Sequence, residues 1–124
     1  MINFTEEAVQ RMVNEDPDSP VVMLNLLRFR PDGGELSYLA YLENNAAVWA
    51  RHGVEPLYAG SGSAPLVAES GQDWDAVAIV RYPSRQAFLD MVRDPEYLAN
   101  EHYRTDALTE SVLQPTTPVE LRAS

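Results

Sequence analysis

The chain has 124 residues, enough for one domain that buries on the order of two-thirds of its unfolded surface without covalent or metal staples. Nine cationic residues, all arginine, against nineteen acids give a net charge of -10, which repels phosphate backbones and anionic lipid, so neither nucleic acid nor a membrane is expected as a partner. The absence of lysine excludes Schiff-base and P-loop-lysine chemistry, and the absence of cysteine excludes disulfides, thiolate nucleophiles and iron–sulfur or zinc–thiolate centres.

The opening MINFTEEAV has neither a basic segment nor a long apolar stretch, and no run approaches the ~20 apolar residues of a membrane helix. A cytoplasmic location is expected. Thr5 before Glu6 and Glu7 reads as an N-cap with acids in the first turn, and Phe4 can staple onto Val9, so a helix is expected over 5–14. NEDPDSP, with Pro17 and Pro20, breaks it and delivers an extended chain. VVMLNLLRFR, residues 21–30, is then a strand in which Val21, Met23, Asn25, Leu27 and Phe29 share one face and Val22, Leu24, Leu26, Arg28 and Arg30 the other. An amide among buried apolar side chains costs roughly 1 to 3 kcal/mol without partners, so Asn25 either bonds inside the protein or meets a wet or ligand-filled space.

PDGG at 31–34 turns the chain. From Leu36 to Arg51, Leu39, Leu42, Ala46 and Trp49 recur at helical spacing and predict a core stripe, with Tyr38, Tyr41, Asn45, Val48 and His52 forming the stripe beside it. EPLYAGSGSAPLVAE, residues 55–69, predicts a bulged or two-part strand, SGQD a hairpin-type connection, and WDAVAIVRY, residues 74–82, a strand apolar on both faces. Pro83 and Ser84 start a helix that Asp94 and Pro95 interrupt, and its second segment is expected to run to about Leu113. TTPVELRA supplies a last strand, at an edge because of Pro118. The order after the first helix is strand, helix, strand, strand, helix, strand. This predicts an α+β ferredoxin-like βαββαβ antiparallel sheet with helices on one face, in a single domain over 1–124: an added helix and linker over 1–20 and the core over 21–122. Strands apolar on both faces need a second cover, and the same sheet of a second subunit, a homodimer, is the simplest one.

Several of these residues also carry a family resemblance: Asn25 within the first strand, YLAYL, RHG closing the first core helix, YAG with Gly60, Trp74, YPSRQAF, DPEY at 94–97, and Arg104 with Ala107. In this order the chain resembles the domain-of-unknown-function family numbered 1330, of the dimeric α/β-barrel superfamily, from Val21 to about Val119. It departs where Val54 follows Gly53, in the turn AESGQDW and in the added N-terminal helix. The resemblance implies a dimer whose two sheets form a barrel, and no particular reaction, since superfamily relatives include cofactor-free monooxygenases, polyketide cyclases, muconolactone-type isomerases and haem enzymes.

Candidate polar groups follow from the pattern. Tyr41 can point its hydroxyl into a cavity or keep its tip in water. His52, in the last helical turn before Gly53, suits a capping role as well as a ligand contact. His102, placed mid-helix in NEHYRTDAL, can act as a general base toward an acidic phenol or enol if it faces the sheet. Arg104 can clamp an anionic substrate or pair with Glu101 or Asp94, and Arg81, on the Val77 and Ile79 face, needs an interface carboxylate or a ligand. Asn25, Arg104, Arg81 and His52 are thus candidate binding residues, and His102 and Tyr41 candidate catalytic ones. No metal is expected, because the two histidines are far apart with no ligand spacing. GSGSAP lacks the lysine and following helix of a phosphate loop, and no cofactor is expected. Two function classes remain: a cofactor-independent enzyme on a small aromatic or polyketide-like molecule, and a non-catalytic ligand-binding or accessory dimer.

Overall fold

A computed structural model of the chain describes residues 2–121. The first helix, α1, spans Glu6–Glu15 behind the Thr5 cap, whose hydroxyl accepts from the Ala8 N–H at 3.1 Å, and it buries Val9, Met12 and Val13. Phe4 and Val9 come together as the staple requires, beside Phe88. Strand β1, Val21–Phe29, follows, with Val21, Met23, Asn25 and Leu27 buried and the alternate residues half-buried.

Gly33 supplies the left-handed turn residue, φ 89°, that admits helix α2, Gly34–Arg51. A Cβ on Gly34 would stand 2.5 Å from the Ala107 carbonyl oxygen, which already accepts the Arg30 N–H, so this corner admits glycine alone. β2 (Glu55–Ser61) and β3 (Ala76–Tyr82) come next, then α3 (Arg85–Arg93), α4 (Pro95–Asn100), α5 (His102–Thr105) and β4 (Leu108–Thr116). The four strands form one antiparallel sheet in the order β2-β3-β1-β4, the ferredoxin-like arrangement.

Four expectations change. The two stripes of α2 exchange roles: Gly34, Tyr38, Tyr41, Asn45 and Val48 are buried, while Leu39 and Ala46 are exposed and Leu42 and Trp49 half-buried. The cause is that α2 packs against α4 and α5 and stands off the sheet, so Leu39, Leu42 and Trp49 border a cavity instead of a core. The strand at 55–69 stops at Ser61, and its second half is exposed loop; the expected irregularity appears as a register shift between Pro56 and Tyr58. The helix expected to reach Leu113 ends at Thr105, and TESVL is strand. Antiparallel pairing from Leu108 opposite Phe29 to Thr116 opposite Val22 satisfies a whole edge of β1, which outweighs the weak helical pattern. The last strand is therefore not TTPVELRA. Pro115, within β4, is the edge proline, residues 117–121 form no strand, and Arg122 and Ala123 lie outside the described residues.

The break after Arg93 falls as read. Asp94 ends α3, and its side chain accepts the Glu96 N–H as the cap of α4, with Pro95 in the first turn. Arg85, buried, ties α1 to the core: its guanidinium donates to the Met12 carbonyl at 3.0 Å and the Glu15 carboxylate at 3.1 Å, and its backbone N–H to the Ser19 carbonyl. On the sheet face away from the helices, Val22, Leu24, Leu26, Val77, Ile79 and Val112 form a contiguous half-buried apolar surface. No helix among the described residues is long and apolar enough to cross a membrane.

Candidate functional site

The gap between α2 and the sheet is a cavity of about 990 Å³, at the upper end of what small-molecule sites occupy. Its floor comes from the helix-facing residues of β1 and β3, including Asn25, Leu27, Ala78, Val80 and Tyr82. Tyr38, Tyr41, Leu42 and Trp49 of α2 form the roof, and Ala59 to Ser61 of β2 one wall. The lining is mainly apolar and aromatic with a few polar groups, the composition that seats a small organic molecule.

The strand alternation sets Asn25 among Met23 and Leu27 facing the helices, and its amide meets the cavity floor. Its only hydrogen bond among the described residues runs from Nδ2 to the Ala78 carbonyl at 3.4 Å, a long contact that leaves most of the amide's capacity unused. Tyr41 lies one helical turn from Tyr38, with ring centroids 5.3 Å apart, and its ring meets Trp49 edge-on at 6.0 Å. The Tyr41 hydroxyl does not reach water. It shares a 3.1 Å hydrogen bond with the Tyr97 hydroxyl of α4. Burial raises all four phenols of this cluster: Tyr38 is pushed up to about 12, and Tyr41, Tyr82 and Tyr97 are also raised. Near neutrality these groups are uncharged O–H donors and acceptors, suited to polarising a substrate oxygen and unsuited to abstracting a proton.

The other candidates are not gathered here. His102 is exposed and stacks on Tyr103 at 4.1 Å, because the short α5 turns it outward. His52 is the C-cap of α2, and its Nε2 lies 2.9 Å from an Asp94 oxygen that Arg51 also contacts at 3.1 Å. This cluster ties α2 to the α3–α4 junction. Arg81 is half-buried on the opposite face of the sheet, between Val22 and Glu55 in register, since odd positions of β3 point away from the helices. Arg104 is buried, but pairs with neither Glu101 nor Asp94. It donates to the Ile2 carbonyl at 2.6 Å and the Ser111 hydroxyl at 3.4 Å. Of the six candidates, only Asn25 and Tyr41 line the cavity.

Tyr38, Tyr82 and Tyr97 escaped singling out. Tyr38 was visible in the stripe of Tyr41, whereas Tyr97 and Tyr82 reach the cluster only through the tertiary packing of α4 and the end of β3. Among the described residues no group of three or more histidine, aspartate or glutamate side chains is placed to hold a metal.

Fold and cavity together define an α+β ferredoxin-like protein with a helix-roofed, tyrosine-rich cavity. The chain belongs to the family of the domain of unknown function DUF1330, whose model matches residues 35–114. It is similar over 97% of its length to a crystal structure of a protein of unknown function from Rhodopseudomonas palustris, at 31% identity and a TM-score of 0.89, covering 98% of that chain. Two more distant structures share the fold. One, from Bacteroides thetaiotaomicron and provisionally named an antibiotic biosynthesis monooxygenase, is 23% identical with a TM-score of 0.59, over 86% of this chain and 97% of that one. The other, a dimeric protein of unknown function from Bacteroides fragilis, is 13% identical with a TM-score of 0.55, over 78% and 94%. No curated protein matches the sequence.

Proposed function

We propose that the protein is a homodimer whose cavity binds a small aromatic or polyketide-like molecule and acts on it without a cofactor, in the manner of a monooxygenase, cyclase or isomerase. The observation that carries this reading is the cavity itself, where the under-used Asn25 amide and the phenols of Tyr38, Tyr41 and Tyr82 border one apolar space. In this reading Asn25 orients a substrate oxygen, and the neutral phenols stabilise charge that develops on it. The provisional name of the Bacteroides thetaiotaomicron neighbour accords with such chemistry, and the dimeric Bacteroides fragilis neighbour with the assembly.

One observation favours the second reading, a non-catalytic ligand binder. His102, the base that enzyme chemistry would use, is exposed outside the cavity. The experiment is a calorimetric screen of aromatic and polyketide-like metabolites, with mass spectrometry of the incubated mixtures. A ligand that binds wild-type protein should bind Asn25→Leu more weakly by roughly 1 to 3 kcal/mol, with the variant folded and at least as stable. Product formation selects the enzyme, and binding without turnover selects the binder. A drop in melting temperature with unchanged binding would make Asn25 a structural residue.

A further inference from the structure

We propose that the ligand of this cavity carries an anionic oxygen on an apolar, ring-sized body, and that the hydroxyls of Tyr38 and Tyr82 receive this oxygen in the field of the buried Arg104. The inference rests on the cavity being a ligand site and narrows the ligand to one class.

Arg104 is 4% exposed and forms no ion pair among the described residues. Both its hydrogen-bond acceptors, the Ile2 carbonyl and the Ser111 hydroxyl, are neutral. The other buried arginine, Arg85, has the Glu15 carboxylate at 3.1 Å. Glu101, one helical turn before Arg104, accepts instead from the Asn3 amide. Neutral acceptors offset only part of the cost of burying a guanidinium, and an anion brought nearby relieves more of it.

Arg104 opposes the rise that burial causes in two phenols that line the cavity, Tyr38 and Tyr82, and in Tyr97 outside its lining. The Tyr41 and Tyr97 hydroxyls share one hydrogen bond at 3.1 Å, which occupies one of their two O–H donors. Those of Tyr38 and Tyr82 have no partner among the described residues, although both side chains are buried and both line the cavity. Each therefore keeps an O–H to donate, fixed in place before any ligand arrives. The two acids on the cavity wall, Asp75 and Glu35, are both exposed, so water screens their charge from the buried phenols. Two unpartnered donors lining an aromatic space, with a cation whose charge reaches them, match a phenolate, an enolate or a small carboxylate. Arg104 does not line the cavity and acts through its field alone.

The test uses 4-nitrophenol and its uncharged methyl ether, 4-nitroanisole, titrated into the full chain by calorimetry and followed through phenolate absorption. The wild type should bind the phenolate at least about tenfold tighter than the ether, and the bound phenol should ionise at lower pH than the free one. Tyr38→Phe combined with Tyr82→Phe should remove roughly tenfold of that preference while leaving ether binding and the melting temperature in place. Arg104→Gln should also lower the preference and, if it fails to fold, the phenylalanine pair still decides. Equal binding of both probes to wild type overturns the anionic class and leaves the cavity standing as a ligand site. A preference that survives the double variant overturns the role of the tyrosines. Failure of both probes to bind overturns the cavity reading, and this one with it.

Discussion

At the scale of single residues, His52, which sequence reasoning offered to a ligand, turns out to tie helices together through Asp94. Asp94 closes α3, caps α4 and meets His52 and Arg51 at the end of α2. The His52 hydrogen bond, followed by the Glu96 backbone N–H and then Arg51, lowers its carboxyl to about 2. A carboxyl whose folded value is depressed contributes stability that is present above its unfolded value, near 3.8, and lost as pH falls toward 2. Acid unfolding should therefore steepen between about pH 4 and pH 2, and Asp94→Asn should flatten that limb while lowering the melting temperature at neutral pH. Circular dichroism across the range checks both. Superimposable acid limbs for the two proteins would mean that the cluster carries no coupling.

Elements were legible where a local signal was strong and illegible where a long-range partner decided. Thr5, Ser84 and the Asp94–Pro95 step are caps whose chemistry is contained within one turn, so α1, α3 and the break before α4 could be read directly. Period-two alternation grouped Asn25 with Val21, Met23, Leu27 and Phe29 on one face of β1, which is the face the helices cover, and Tyr41 lines the cavity beside it. β4 was hidden because TESVL has no turn signal before it and is made a strand by pairing along β1. The buried face of α2 was hidden because two adjacent stripes are both apolar, and only its packing on α4 and α5 chooses between them. His102 was misplaced for the same reason, since the early end of the helix reorients α5. At this scale Arg85 makes α1 a testable unit. Arg85→Met should leave the Met12 carbonyl without its donor and cost about 2 kcal/mol, expressed as faster hydrogen exchange over residues 6–20. Uniform destabilisation of the whole sheet would show that α1 and the core unfold as one.

For the whole molecule, the outer face of the sheet is the surface on which the proposed homodimer would form. Val22, Leu24, Leu26, Val77, Ile79 and Val112 face away from every helix, and burying such side chains is worth roughly 25 cal/mol for each Å² removed from water. Strands of 7 to 9 residues set about 4.8 Å apart present on the order of 400 to 500 Å² in plan, less than the ~800 Å² per partner of a standard interface. In the proposed homodimer, segments beyond the sheet must therefore contribute. Leu66 and Val67, fully exposed in the loop between β2 and β3, are the apolar groups available to extend it. Each subunit carries a net charge of -10, so association also works against like-charge repulsion that salt screens. The dimer should tighten as ionic strength rises. Ile79→Asp, which sets a carboxylate at the centre of the apolar face, should abolish dimerisation and lower stability, whereas Leu66→Ser with Val67→Ser should weaken dimerisation and leave the subunit folded. Sedimentation of all three proteins at micromolar concentration measures this directly. A well-folded wild-type monomer under those conditions would overturn the homodimer and leave the sheet face to be covered by a different partner.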